Sequence, residues 1–133
     1  MNIEFNNKEP IYHQIINLIK KDIITGRYKG GDKMLSVREM AEKYKVNPNT
    51  ISRVYQLLEM ENITYTQRGM GTFITQDEDK ILQLKNQMAD SVIHNFINEM
   101  RSLGFENTEI INSIKKNIVQ QAESIQNKGV SDQ

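Results

Sequence analysis

Two short helices separated by a brief break are predicted by the stretch 36-SVREMAEKYKVNPNTISRVYQLL-58. Its start matches the capping-box pattern, in which Ser36 is followed three residues later by Glu39. Apolar residues then recur at helical spacing over barely two turns, as expected for a helix at about 37–44.

The second half of this stretch restarts as a helix. Asn47 followed by Pro48 is typical of an N-cap and a first helical residue, so a longer helix is expected from 48 to about 61. Two helices joined by a three-residue break indicate a helix-turn-helix. The outer face of the second helix is polar and carries no acid, which suits either contacts with DNA or simple solvation. This face consists of Asn49, Ser52, Arg53 and Gln56.

A β-hairpin is predicted directly after these helices. Residues 63–67 and 72–75 are β-branched and aromatic, and the glycine-rich segment 68–71 lies between them. Arg68 provides a cation at the tip, and Gly69 lets the backbone approach another surface closely. A tip of this kind suits the minor groove of DNA, whose negative potential attracts arginine.

One further helix precedes the helix-turn-helix. Pro10 is a suitable first residue, an aliphatic stripe follows at helical spacing, and Gly26 supplies a left-handed end, so a helix is expected over about 10–25. The glycine-containing segment 28–32 is expected to be a turn.

Two long helices are predicted after residue 76. Aliphatic residues recur every three or four positions up to Gly104, and a second series starts near Asn107. A helical hairpin of this size cannot enclose so wide an apolar stripe. A second copy of the chain is the simplest cover, and packing against the N-terminal domain is the alternative. The expected dimer contacts are Leu84, Met88, Val92, Phe96, Met100, Ile111, Ile114 and Ile118.

Charge and composition narrow the function classes. Residues 1–75 carry 11 Lys and Arg against 8 Asp and Glu, whereas residues 76–133 carry 6 against 9. The N-terminal part is therefore net positive, which weakly favours a phosphate-bearing partner. The absence of cysteine excludes disulfides and thiol nucleophiles and weakens any zinc hypothesis. No apolar run is long enough to span a bilayer and no secretory signal is present, so we expect a cytoplasmic protein.

From Pro10 to Thr75 the sequence resembles the GntR superfamily of bacterial transcription regulators. The matching strings are PIYHQI, ITGRYKGGDKMLSVREMAEKYKVNPNTISRVYQLLE and RGMGTFI. The short remainder is similar to the YtrA-type branch, which carries a small helical dimerisation element. That branch commonly governs neighbouring transporter operons, often of ABC exporters.

The resemblance implies roles for individual residues. Arg38 matches the family arginine that contacts DNA from the second helix, and Arg68 with Gly69 matches the wing tip. Pro48 is expected to leave the first amides of its helix open to phosphate. The positions that enter the major groove are Asn47, Asn49, Thr50, Ser52 and Arg53.

Three positions depart from the family pattern. Gly30 and Leu35 stand where proline is usual, which should loosen the connection between the first two helices. Lys45 stands where glycine is frequent, so this lysine is expected to adopt a positive φ at a modest cost.

Other functions have less support. No catalytic serine or acidic pair lies in a recognisable motif, so an enzyme is not expected. A metal sensor would depend on His94 and Asp90, one helical turn apart. A winged-helix module that binds protein rather than DNA stays open.

We therefore predict a mainly α fold with a small β-hairpin wing. Residues 1–75 form a winged helix-turn-helix, and residues 76–133 form a two-helix dimerisation hairpin that could also respond to a small-molecule effector. The predicted function is that of a homodimeric repressor that binds a double-stranded inverted-repeat operator without a cofactor or metal.

Overall fold

The computed structural model describes residues 4–131, with side chains as far as Gln126. Internal contacts divide the chain into two compact units, Met1–Gln87 and Met88–Gln133. The division predicted from the sequence, between residues 75 and 76, stays a prediction. None of the helices in residues 4–131 is both long enough and apolar enough to cross a membrane.

Helix α1 (Ile11–Ile24) forms one side of the N-terminal core. It begins one residue later than predicted, because Pro10 is its N-cap rather than its first helical residue. The aliphatic stripe is buried, with Ile15 and Ile19 fully covered. The chain leaves the helix through Gly26, whose φ of 82° confirms the predicted left-handed end.

Helices α2 (Val37–Tyr44) and α3 (Pro48–Met60) form the predicted helix-turn-helix. The capping box is complete, since the Glu39 amide donates to Ser36 Oγ and the Ser36 amide donates to Glu39 Oε1, both at 3.1 Å. Lys45 adopts the expected left-handed conformation, with φ 56°. The buried residues of the pair are Met40, Ala41, Tyr44, Ile51, Val54, Tyr55 and Leu58.

Strands β1 (Thr64–Gln67) and β2 (Gly71–Ile74) form the predicted hairpin. They are antiparallel, with Thr64 opposite Ile74 and Gln67 opposite Gly71. A segment that the sequence indicated as turn and connection extends this sheet. The Met34 amide donates to the Thr72 carbonyl at 2.8 Å, and the Ile74 amide donates to the Asp32 carbonyl at 2.9 Å.

Two long helices complete the described chain, α4 (Glu78–Ser102) and α5 (Asn107–Ser131). Their bounds agree with the predicted break at Gly104, which has a φ of 90°. The first turns of α4 belong to the N-terminal unit, and Leu84 is buried there. In the C-terminal unit, Ile110 is buried, whereas most of the aliphatic side chains described there are exposed.

Candidate DNA interface

The polar face of α3 is held rigidly by the opposite face of the same helix. Ile51, Val54 and Leu58 are completely buried, so rotation of α3 about its axis would expose aliphatic surface. The side chains on the outer face are all exposed, as a surface that reads DNA requires. They are Asn49, Ser52, Arg53 and Gln56.

The start of α3 differs in detail from the expectation. Asn47 Oδ1 accepts the Asn49 amide at 2.8 Å, and the Asn47 carbonyl accepts the Thr50 amide at 2.9 Å. These two amides are therefore not open to phosphate, contrary to the prediction for the residues after Pro48. The Asn47 side chain orders the helix start and keeps its NH₂ group and one lone pair of Oδ1 for another partner. Thr50 is half-buried.

Arg53 is in contact with a residue outside the helix-turn-helix. Its guanidinium carbon lies 3.9 Å from the ring centroid of Tyr12 on α1, which is the geometry of a cation–π stack. Tyr12 is half-buried and Arg53 is exposed. No local pattern predicts this pair, because the two residues are 41 positions apart and Tyr12 lies beside, not within, the aliphatic stripe.

Arg38 lies in the first turn of α2, which the capping box fixes. The Ser36 backbone amide and then the Ser36 hydroxyl bond to the Glu39 carboxylate and lower its pKa below 4.5. The carboxylate is thus charged and committed to the cap at neutral pH. Arg38 itself is exposed and takes part in none of the described ion pairs, so its guanidinium is open to an anionic partner.

The connection before α2 is tied to α3 by a buried tyrosine. The Tyr55 hydroxyl donates to the Leu35 carbonyl at 2.6 Å. Burial raises the pKa of this hydroxyl well above its usual value, which keeps the proton in place. The bond restrains the connection at the position where the family usually has proline.

The hairpin tip presents Arg68 and Gly69, both exposed. Gly69 has a φ of 80°, and a Cβ built there would meet no atom within 4 Å. Its glycine is required by backbone conformation rather than by space. Gly71 differs, because a Cβ there would approach Lys33 Cε to 2.8 Å.

Lys33 is a cation of this surface that the sequence interpretation missed. It is exposed, and its backbone forms an isolated antiparallel β-bridge with Phe73. Its side chain passes over Gly71 beside the tip. The segment shows no polar–apolar alternation, since Asp32 and Lys33 are both polar and exposed before buried Met34. The adjacent glycines favour a turn.

The expected dimer contacts fall into three groups. Leu84 is only 4% exposed and is therefore covered within its own chain. Met88 and Met100 are half-buried. The remaining five are exposed, namely Val92, Phe96, Ile111, Ile114 and Ile118.

Among the side chains that the structure describes, as far as Gln126, no three His, Asp or Glu residues converge on a point that could hold a metal ion. His94 and Asp90 are both exposed on α4.

Comparison with known proteins gives consistent results. Residues 11–74 match the family described as bacterial regulatory proteins, gntR family. The uncharacterized HTH-type transcriptional regulator YhcF of Bacillus subtilis (strain 168) is 39% identical over 115 residues, covering 86% of this chain and 95% of that protein. The HTH-type transcriptional repressor YtrA of the same organism is 40% identical over 97 residues, covering 68% of this chain and 75% of that protein.

A solved structure is similar over nearly the same extent. The GntR family transcriptional regulator from Listeria monocytogenes has 48% sequence identity and a TM-score of 0.78, covering 84% of this chain and 98% of that chain. The similarity therefore continues beyond residue 74 into the C-terminal helices.

Proposed function

This chain belongs to the GntR family of bacterial regulatory proteins and is a DNA-binding transcriptional regulator rather than an enzyme, and we propose that it represses transcription as a homodimer on an inverted-repeat operator. The observation that carries the proposal is the contrast between two exposed surfaces. One is the polar, acid-free face of α3, and the other is the apolar face of the C-terminal helices.

The α3 face reads the major groove in this proposal. Asn49, Ser52 and Gln56 offer hydrogen-bonding groups for base edges or phosphates, and Arg53 offers the fork that matches guanine or phosphate. Asn47 and Thr50 order the start of the helix and lie next to the same groove.

Two further elements position the protein on the duplex. Arg38 at the start of α2 contacts a phosphate, which fixes the register without reading sequence. Arg68 and Gly69 at the hairpin tip enter the minor groove, where the narrow negative channel favours a guanidinium. Lys33, beside the tip, adds a second cation to this part of the surface.

The apolar face supports association of two copies. Val92 and Ile118 are 68% and 62% exposed, although each lies on a stripe of aliphatic residues at helical spacing. Many exposed apolar side chains on one segment are typical of an interaction site. Leu84 is buried within the N-terminal unit and is therefore left out of the proposed contacts. These are Met88, Val92, Phe96, Met100, Ile111, Ile114 and Ile118.

A two-fold dimer sets the form of the operator. Its two copies of α3 would enter successive major-groove faces, so the half-sites of the inverted repeat are about 10 base pairs apart. Repression is supported by the similarity to YtrA, which is described as a repressor. We extend this to control of an adjacent ABC-transporter operon and to action in the cytoplasm, where the DNA is. We assign the response to a small-molecule effector to the C-terminal helices.

Binding to the promoter of the chain's own operon tests the DNA-reading part. Fluorescence anisotropy from roughly 50 to 300 mM salt should give a steep loss of affinity, because each phosphate contact contributes about 0.9 to the logarithmic salt slope. Arg53→Ala and Arg68→Ala should each weaken binding, Arg53→Ala by about 1–3 kcal/mol.

The matched control is Arg27→Ala, which removes a cation of the same unit that is paired with Asp22 and lies outside the proposed interface. Its affinity should equal that of the unaltered protein. Affinity that is insensitive to salt and to both test substitutions would overturn the proposal and favour a protein-binding winged helix.

A further inference from the structure

The side chain of Arg53, on α3, packs against Tyr12 on α1. Its guanidinium carbon stands 3.9 Å above the Tyr12 ring centroid. Arginine on an exposed helix face normally samples many rotamers, and each rotamer must be given up when a fixed contact forms. The stack selects one set of positions before any partner arrives.

Stacking leaves the hydrogen-bonding capacity of Arg53 intact. The ring contacts the flat face of the guanidinium, whereas the five N–H donors lie in its plane and point outward. Arg53 is also absent from the described ion pairs. The stacked guanidinium is therefore held on one face and free along its edge, which is the edge that a base or phosphate needs.

The Tyr12 ring is itself on a rigid support. It belongs to the first turns of α1, a helix anchored by fully buried Ile15 and Ile19. The preceding segment is fastened to the same helix, since Gln14 Nε2 donates to the Asn6 carbonyl at 2.9 Å and to the Glu9 carbonyl at 2.8 Å. The backbone that carries the ring is therefore fixed relative to the N-terminal core.

We propose that Tyr12 is a positioning residue for DNA recognition, and that it holds the Arg53 guanidinium in place for its contact in the major groove. The inference rests on the proposed role of Arg53. It adds α1 to the elements that determine how tightly the duplex is bound.

A double-mutant cycle on the full chain tests this, using the own-promoter duplex at fixed salt as the probe. Tyr12→Leu removes the π face and should weaken binding about two- to fivefold, the effect of one exposed cation–π contact. Tyr12→Phe keeps the face and should bind like the unaltered protein. In the Arg53→Ala background, Tyr12→Leu should cause no further loss, because no guanidinium remains to be held.

Tyr28→Leu is the matched control for loss of a half-buried tyrosine in the same unit, and it should leave DNA affinity unchanged. The thermal midpoint of each free variant identifies any general loss of stability.

Four results would overturn the inference. If Tyr12→Leu weakens binding equally with and without Arg53, the ring acts independently of the guanidinium. If Tyr12→Phe is as weak as Tyr12→Leu, the hydroxyl rather than the face is responsible. If Tyr12→Leu tightens binding, the stack competes with DNA. If Arg53→Ala alone has no effect, both the stack and the proposed role of Arg53 fail, which separates this outcome from the other three.

Discussion

The two units of this chain use the same aliphatic residues at the same helical spacing, but only the N-terminal unit covers them. Ile19 of α1 is 0% exposed, whereas Ile118 of α5 is 62% exposed. Ten large hydrophobic side chains between residues 88 and 126 are exposed, against four between residues 4 and 87. The spacing of the aliphatic residues therefore predicts which helix face is apolar. The structure is needed to tell whether the chain itself covers that face.

In the proposed function, this difference corresponds to separate roles for the two units. The N-terminal unit buries its own aliphatic stripe, and the capping box and the hydrogen bond from Tyr55 to Leu35 fix the helices that carry the proposed DNA-reading surface. The C-terminal helices leave apolar side chains exposed. Full burial of an exposed large aliphatic side chain contributes roughly 1.5–3 kcal/mol, so the more exposed Val92 and Ile118 have the most to gain. In the proposed dimer, a second copy of the chain would bring the same face and cover both at once.

The largest effect is expected when a charge is introduced on the exposed apolar face of the C-terminal helices. Phe96→Glu should raise the dimer dissociation constant by at least about 100-fold, because the substitution occurs twice per dimer and each time places an unpaired carboxylate in an apolar interface. Sedimentation equilibrium measures this directly.

The control is Asn98→Glu, which adds the same charge to an exposed residue on the polar side of α4. It should leave association unchanged. Equal dimerisation of the Phe96→Glu and unaltered chains would show that this face is not the interface.

Two matched isoleucine substitutions sharpen the comparison. In the monomeric Phe96→Glu background, Ile19→Ala should lower the free energy of unfolding by about 2–5 kcal/mol, since it opens a cavity in a closed core. Ile118→Ala in the same background should cost less than about 0.5 kcal/mol, because its side chain is already in water. Urea unfolding distinguishes the two, and similar losses would mean that α5 is covered by its own chain.

Loss of the Tyr55 hydroxyl in the N-terminal unit should change the free energy of unfolding by a smaller amount. Tyr55→Phe removes the donor to the Leu35 carbonyl and should reduce stability by about 1–2 kcal/mol, because a part-buried acceptor loses its partner. Tyr65→Phe, which removes a hydroxyl from another half-buried ring of the same unit, is the control and should cost less. A smaller loss for Tyr55→Phe than for this control would contradict the proposed restraint.

The capping box gives the smallest effect and a pH signature. Ser36→Ala should cost about 1 kcal/mol at neutral pH. The Glu39 pKa is lowered in the folded state, so its stabilisation is present above pH 4.5 and is lost as the pH falls through the lowered pKa. The stability difference between the unaltered chain and Ser36→Ala should therefore shrink in acid, and a difference that grows would contradict the cap.

Much of the N-terminal unit could be predicted because its signals are local. Ser36 with Glu39, and Asn47 with Pro48, lie within a few residues of each other and act through the backbone next to them. The left-handed conformation of Lys45 also followed from position alone. Such features need no knowledge of distant parts of the chain.

What the sequence missed depends on residues far apart in the chain. The bridge from Lys33 to Phe73 and the stack of Arg53 on Tyr12 arise only when the core brings separate elements together. The amides after Pro48 were expected to be free because the pattern shows the proline, but not that Asn47 would use both its side chain and its carbonyl. Leu84 matched the exposed stripe in spacing, and its burial follows from tertiary packing that periodicity does not encode.

The mass of the protein–DNA complex tests most directly whether the N-terminal unit binds DNA while the C-terminal helices hold two copies together. Fluorescence-detected sedimentation equilibrium on a labelled duplex from the chain's own promoter, at saturating protein, should give two chains of 15.5 kDa per duplex, and binding should weaken strongly for Phe96→Glu. A saturated complex that contains one folded chain and is unaffected by Phe96→Glu would contradict the account.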